Sequence, residues 1–196
     1  MFVLFIYNNI TLREACQLIN IDVMKKIFTN LFITVVLLSA CSSTSYQESI
    51  KYTEKKNVIY TAYKYIDLHE RLDRNQIKSL IGIDPVRTEW CAAFVNSVLH
   101  RNDIPGSESV SEHPLLAKSF LTWGQEVYFP QPGDVVVFHR GNQAWQGHVG
   151  FYVNSYYSNG IEYYLILGGN QDNRVAIDSY PAHRALSIRR SIEYYS

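Results

Sequence analysis

The chain has 196 residues and a formal net charge of zero, 18 Lys and Arg against 18 Asp and Glu. It contains no basic run of five or more residues, which excludes the electrostatic footprint of a nucleic-acid binder. An apolar fraction of 47% and an aromatic fraction of 14% exclude a disordered chain and predict one packed domain with a tail.

The first signal in chain order is a targeting segment. Met24-Lys25-Lys26 is basic, residues 27–38 are mostly apolar, and Leu38-Ser39-Ala40-Cys41 leads into the polar Ser42-Ser43-Thr44-Ser45. Basic, apolar and small-residue segments in that order form a secretory signal pattern. The apolar run is shorter than the roughly 20 residues that span a bilayer. Leu-Ser-Ala-Cys resembles a bacterial lipobox, which implies acylation of Cys41 and anchoring to membrane through that lipid, with the outer membrane facing the periplasm as the expected location. Residues 1–23, including Cys16, precede the signal at 24–40 and are expected to be an extension that cleavage before Cys41 removes. Residues 41–56 are rich in Ser, Thr, Glu and Lys and read as a flexible tether to a domain over 57–196.

Within that domain, Val58, Ile59, Ala62, Ile66 and Leu72 fall near helical spacing and predict a helix over 57–72. A short second helix is expected over 75–83, ended by Gly82 and Pro85, and a third from Cys91 to His100. Pro114 and Gly124 bracket a fourth, with Leu115, Leu116, Phe120 and Trp123 on its apolar face. After Gly124 the period changes. Pro130-Gln131-Pro132-Gly133 is a turn signal, and strands are expected over 134–139, 147–154, 161–167, 175–180 and 186–190. Asn159-Gly160 marks a hairpin turn. Many of the 15 tyrosines fall in these strands, where half-buried aromatic residues fit. Helices first and strands second predict an α+β fold with an antiparallel sheet.

The chemistry centres on Cys91. Of three cysteines, Cys16 and Cys41 are accounted for by processing, so Cys91 has no partner for a disulfide. At a helix start its thiol would sit at the positive end of the dipole, which favours thiolate, and first-turn N–H groups could stabilise an oxyanion. Trp90 beside it is a candidate groove wall, with His139 and Gln171 as further groove candidates. His148, in Gly147-His148-Val149-Gly150, is the candidate base. Asn170, in Gly168-Gly169-Asn170-Gln171, is the candidate third member, whose amide would accept the second imidazole N–H; Asp172 and Asp134 are its alternatives. No His or Cys pair has metal-ligand spacing and no phosphate loop occurs, so neither metal nor cofactor is expected.

Four segments together, Trp90-Cys91-Ala92-Ala93-Phe94-Val95-Asn96, Gly133-Asp134-Val135-Val136-Val137-Phe138, Gly147-His148-Val149-Gly150-Phe151 and Leu167-Gly168-Gly169-Asn170-Gln171, resemble the NlpC/P60 and CHAP superfamily of papain-like cell-wall hydrolases, most of all its small bacterial and phage-associated members. The resemblance covers about residues 57–190 and implies a papain-like fold and cleavage of amide bonds in peptidoglycan by Cys91, His148 and Asn170. It departs from the family at Glu89, where Pro is frequent; a carboxylate there would oppose thiolate formation if it pointed inward.

The expected protein is thus a lipid-anchored monomer that cuts the peptide part of peptidoglycan. Amidase and endopeptidase action remain equally open. The rival readings are an inactive wall-binding lipoprotein of the same fold and a thiol acyltransferase.

Overall fold

The computed structural model describes residues 57–192; the expected extension, signal and lipidated tether lie outside them. Among these described residues three α-helices come first: α1 (Val58–Tyr63), α2 (Arg74–Ile81) and α3 (Cys91–His100). Six strands follow: β1 (Gln125–Glu126), β2 (Val135–His139), β3 (Gly147–Ser158), β4 (Ile161–Gln171), β5 (Arg174–Pro181) and β6 (Ala185–Arg190). They form one antiparallel sheet in the order β1-β6-β2-β3-β4-β5, the α+β arrangement expected.

The helices differ from expectation where tertiary hydrogen bonds compete. The helix expected over 57–72 stops at Tyr63. Asp67 turns the chain at φ 67°, and its N–H donates to Val175 O at 2.9 Å, while Glu70 N–H donates to Asn173 O at 2.8 Å. Backbone that apolar spacing assigns to a helix therefore lies against the start of β5. In α2, Gly82 closes the helix at φ 76°, where a residue without Cβ is unstrained, and its N–H donates to Lys78 O. The expected fourth helix is a 3₁₀ segment, Ala117–Thr122, that leaves Leu115 and Leu116 outside it.

Each face of the sheet has its own core. Val135, Val137, Val149, Phe151 and Leu167 bury one face against Trp90, Phe94, Val95 and Val98 of the helical layer. Val136, Phe138, Tyr152, Tyr164, Ile166 and Ile188 cluster on the other. This is the period-two alternation of strands carried into two apolar layers.

Two hairpin turns use paired left-handed residues, Asn159-Gly160 and Asp172-Asn173. The second moves the end of β4. The strand does not stop at Leu167 but continues to Gln171, with its register to β5 shifting between Gly168 and Gln171 and Asn170 at φ 58°. Such a bulge breaks alternation and re-aims the side chains beyond it.

Candidate active site

Cys91 is the first residue of α3, follows Trp90 at the cap, and is 5% exposed. It also lines a cleft of about 370 Å³ with Glu89, Leu116, Arg140 and Trp145. The backbone N–H groups of Ala92 and Val149 reach the sulfur. Val149 can do so because β3 and β4 keep register only as far as Phe151↔Leu167, while residues 147–151 pair with β2. Cys91 is thereby held one residue along β3 from His148.

The thiol does not follow the helix-dipole expectation. Burial pushes its pKa up, and this outweighs the two N–H contacts and the nearby Arg140 charge, which act downward. Glu89 adds a smaller upward push, as expected of a carboxylate two residues away. That carboxylate is exposed, and Asn170 Nδ2 donates to it.

His148 is 1% exposed and stands in register opposite Phe138. Its Nε2 lies 2.9 Å from Gln171 Oε1. The rest of the Gln171 amide decides the protonation. Its Nε2 donates to Ile166 O at 3.1 Å and to Ala176 O at 2.6 Å, so both amide hydrogens are used. Oε1 can only accept, and it accepts from Tyr180 Oη at 3.1 Å as well. The imidazole hydrogen therefore sits on Nε2, and Nδ1 carries the lone pair. Nδ1 is buried and has no hydrogen-bond partner among the described residues. Burial lowers the His148 pKa from 6.5 to about 4, with the Gln171 hydrogen bond opposing and the Arg140 charge assisting. At neutral pH the ring is uncharged.

An aromatic stack flanks the imidazole. Tyr180 lies against it with centroids 5.3 Å apart and planes 19° apart, and Phe138 stacks on the same tyrosine at 4.7 Å. Tyr180 is held protonated, its pKa pushed up to about 12, chiefly by burial.

Several expectations are corrected by these positions. The side chain hydrogen-bonded to His148 is Gln171, not Asn170, because the bulge in β4 turns the later residue toward the ring and leaves Asn170 to Glu89. Gln171 is accordingly a buried partner of the imidazole and not a groove residue. Trp90 is no groove wall: it is fully buried, edge-on to Phe94, with Nε1 donating to Glu70 Oε2 at 3.4 Å. His139 is exposed at the end of β2 and does not line the cleft. Asp134 makes a two-pronged pair with Arg190 at 2.7 Å, and Asp172 is exposed in the β4–β5 turn, so neither serves as the alternative orienter. Arg140, Trp145 and Tyr180 were not singled out from the sequence. Only the Gly141 turn after Arg140 hints at a loop there; nothing separates Tyr180 from the other tyrosines.

Chemically, the arrangement supplies a thiol at a cleft, two N–H donors beside its sulfur, and a buried neutral imidazole with one nitrogen lone pair open. Among the described residues no group of three or more His, Cys, Asp or Glu side chains is placed to hold a metal. No curated protein matches the chain. Residues 83–170 match the CHAP domain, a span that contains Cys91, His148 and Asn170, and this match is consistent with the NlpC/P60–CHAP superfamily, whose CHAP members are typically cysteine- and histidine-dependent amidohydrolases or peptidases.

Proposed function

We propose that the protein is a cysteine hydrolase that cuts amide bonds in the peptide part of peptidoglycan, with Cys91 as nucleophile, His148 as base and Gln171 as the residue that orients the base. The observation that carries this reading is the Gln171 amide, which keeps a hydrogen on His148 Nε2 and leaves Nδ1 free to accept another. As substrate enters, the thiol proton passes to Nδ1 and the sulfur attacks the amide carbonyl. Collapse of the tetrahedral adduct breaks the C–N bond, and the proton on Nδ1 leaves with the amine. Water, giving a proton to the same nitrogen, then opens the thioester and frees the acid and Cys91.

Because thiol and imidazole both rest neutral, the ion pair forms only during attack. Desolvation of an entering substrate and the N–H groups around Cys91 would favour that transfer. The lipobox-like Leu38-Ser39-Ala40-Cys41 supports attachment to membrane through Cys41, which would hold the domain next to the wall.

The deciding experiment is mass spectrometry of purified sacculi digested with the wild type and with Cys91→Ala. Soluble peptide-containing fragments are expected from the wild type alone. Equal release by both proteins would remove Cys91 from the mechanism. A second reading, a wall-binding protein that has kept the fold, draws on the burial that disfavours thiolate at Cys91; it predicts sacculus binding with no released product.

A further inference from the structure

The cleft beside Cys91 has unlike walls. Leu115, Leu116 and Trp145 give it exposed apolar surface, and Glu89 and Arg140 bring opposite charges to it. The two charges are held differently. Glu89 is engaged by Asn170, whereas Arg140 makes no hydrogen bond or ion pair among the described residues.

The backbone carrying Arg140 is nevertheless well placed. β2 and β3 pair Phe138 with His148 and His139 with Gly147, so Arg140 is the first residue past that register, next to the candidate base. Gly141 follows at φ 69°, and the Gln146 side chain packs so closely over it that a Cβ there would lie 2.0 Å from Oε1. The same Oε1 accepts from Gln143 N–H at 2.9 Å, and Lys118 Nζ donates to Ala144 O. The loop is tied to itself and to Lys118, and it turns both Arg140 and Trp145 to the cleft.

A planar guanidinium with no hydrogen bond or ion pair among the described residues, in a partly enclosed cleft, fits a carboxylate through two parallel N–H donors. We propose that Arg140 reads the substrate: it pairs with a free carboxylate beside the cleaved amide, while Trp145, Leu115 and Leu116 take up the apolar part of the same peptide. The choice of a peptide ligand rests on the proposed function. Arg140 also lies near enough to Cys91 to favour its thiolate, an effect that would act on every substrate alike. Discrimination between substrates separates the two roles.

The test uses a synthetic stem peptide with free α-carboxylates and the same peptide with those groups as carboxamides. Binding of each is measured by calorimetry to the Cys91→Ala protein and to Cys91→Ala/Arg140→Gln. The acid form should bind the first protein on the order of tenfold more tightly than the amide form, and Arg140→Gln should erase that ratio. A ratio that survives Arg140→Gln overturns the proposal, as does equal binding of both forms or binding of neither. Cleavage by the protein with Cys91 intact is scored separately. An Arg140-dependent preference without cleavage keeps the carboxylate subsite and ends the hydrolase reading; cleavage of both forms with no preference does the reverse.

Discussion

His148 and Gln171 are joined by a 2.9 Å hydrogen bond in which the imidazole Nε2–H is the donor, because the amide spends both its own hydrogens on the carbonyls of Ile166 and Ala176. One tautomer follows, and with it the identity of the free nitrogen, Nδ1. If His148 acts as base, its readiness depends on a side chain that never touches the cleft.

Gln171 and Asn170 should therefore separate cleanly on mutation. Gln171→Ala removes the acceptor that orients the imidazole, and kcat is expected to fall about tenfold to a hundredfold, the equivalent of one buried hydrogen bond, with KM little changed. Asn170→Ala frees only the exposed Glu89 carboxylate and should stay within a few-fold of wild type. Steady-state kinetics on soluble stem peptides measure both. The reverse order would restore Asn170 as the orienting residue.

Cys91 should alkylate as a buried thiol. Its pKa is raised, so the thiolate fraction near pH 7 is smaller than for an ordinary cysteine and keeps growing into alkaline solution. The iodoacetamide rate in the free protein is expected to climb beyond the usual thiol range near pH 8.5. A rate already level at pH 7 would reveal a preformed ion pair with His148.

His148 should make the fold sensitive to acid. Its pKa is lowered from 6.5 to about 4 in the folded state, so between these values the unfolded chain binds more protons. The stabilisation from keeping the ring neutral is complete above the unfolded pKa and is lost as pH falls toward the folded one. That span corresponds to roughly 3 kcal/mol. Urea unfolding at pH 7 and pH 4.5 should show most of this loss in wild type and a flatter dependence in His148→Gln. Parallel slopes in the two proteins would contradict it.

Gly169 is where strand meets helix. A Cβ at this position would lie 2.5 Å from Trp90 Cζ3 and 2.6 Å from Phe94 Cβ, both fully buried. Gly169→Ala must displace α3 or β4, and a loss of about 1–3 kcal/mol is expected from overpacking. The midpoint of urea unfolding reports it, and an unchanged midpoint would mean that the layer yields freely.

Sequence alone determined much of this protein. Period and turn chemistry are local, so the order of helices and strands, the start of α3 at Cys91 and the Asn159-Gly160 hairpin could be read from residue types. The unpaired cysteine and the glycine-flanked histidine were legible for the same reason. The sequence pointed to Asn170 as the orienting amide and to Gln171 as a groove residue, whereas the structure puts Gln171 against His148. Asn170 and Gln171 are neighbours with the same functional group, and the choice between them depends on a register shift against β5. The end of α1 likewise depended on backbone partners over 100 residues away, Asn173 and Val175. Burial depended on the assembled layers as well: it took Trp90 out of any groove, raised the Cys91 pKa where the helix dipole argues for lowering it, and left Nδ1 of His148 alone. Each of these is a sum over contacts between distant segments, and no stretch of sequence contains that sum.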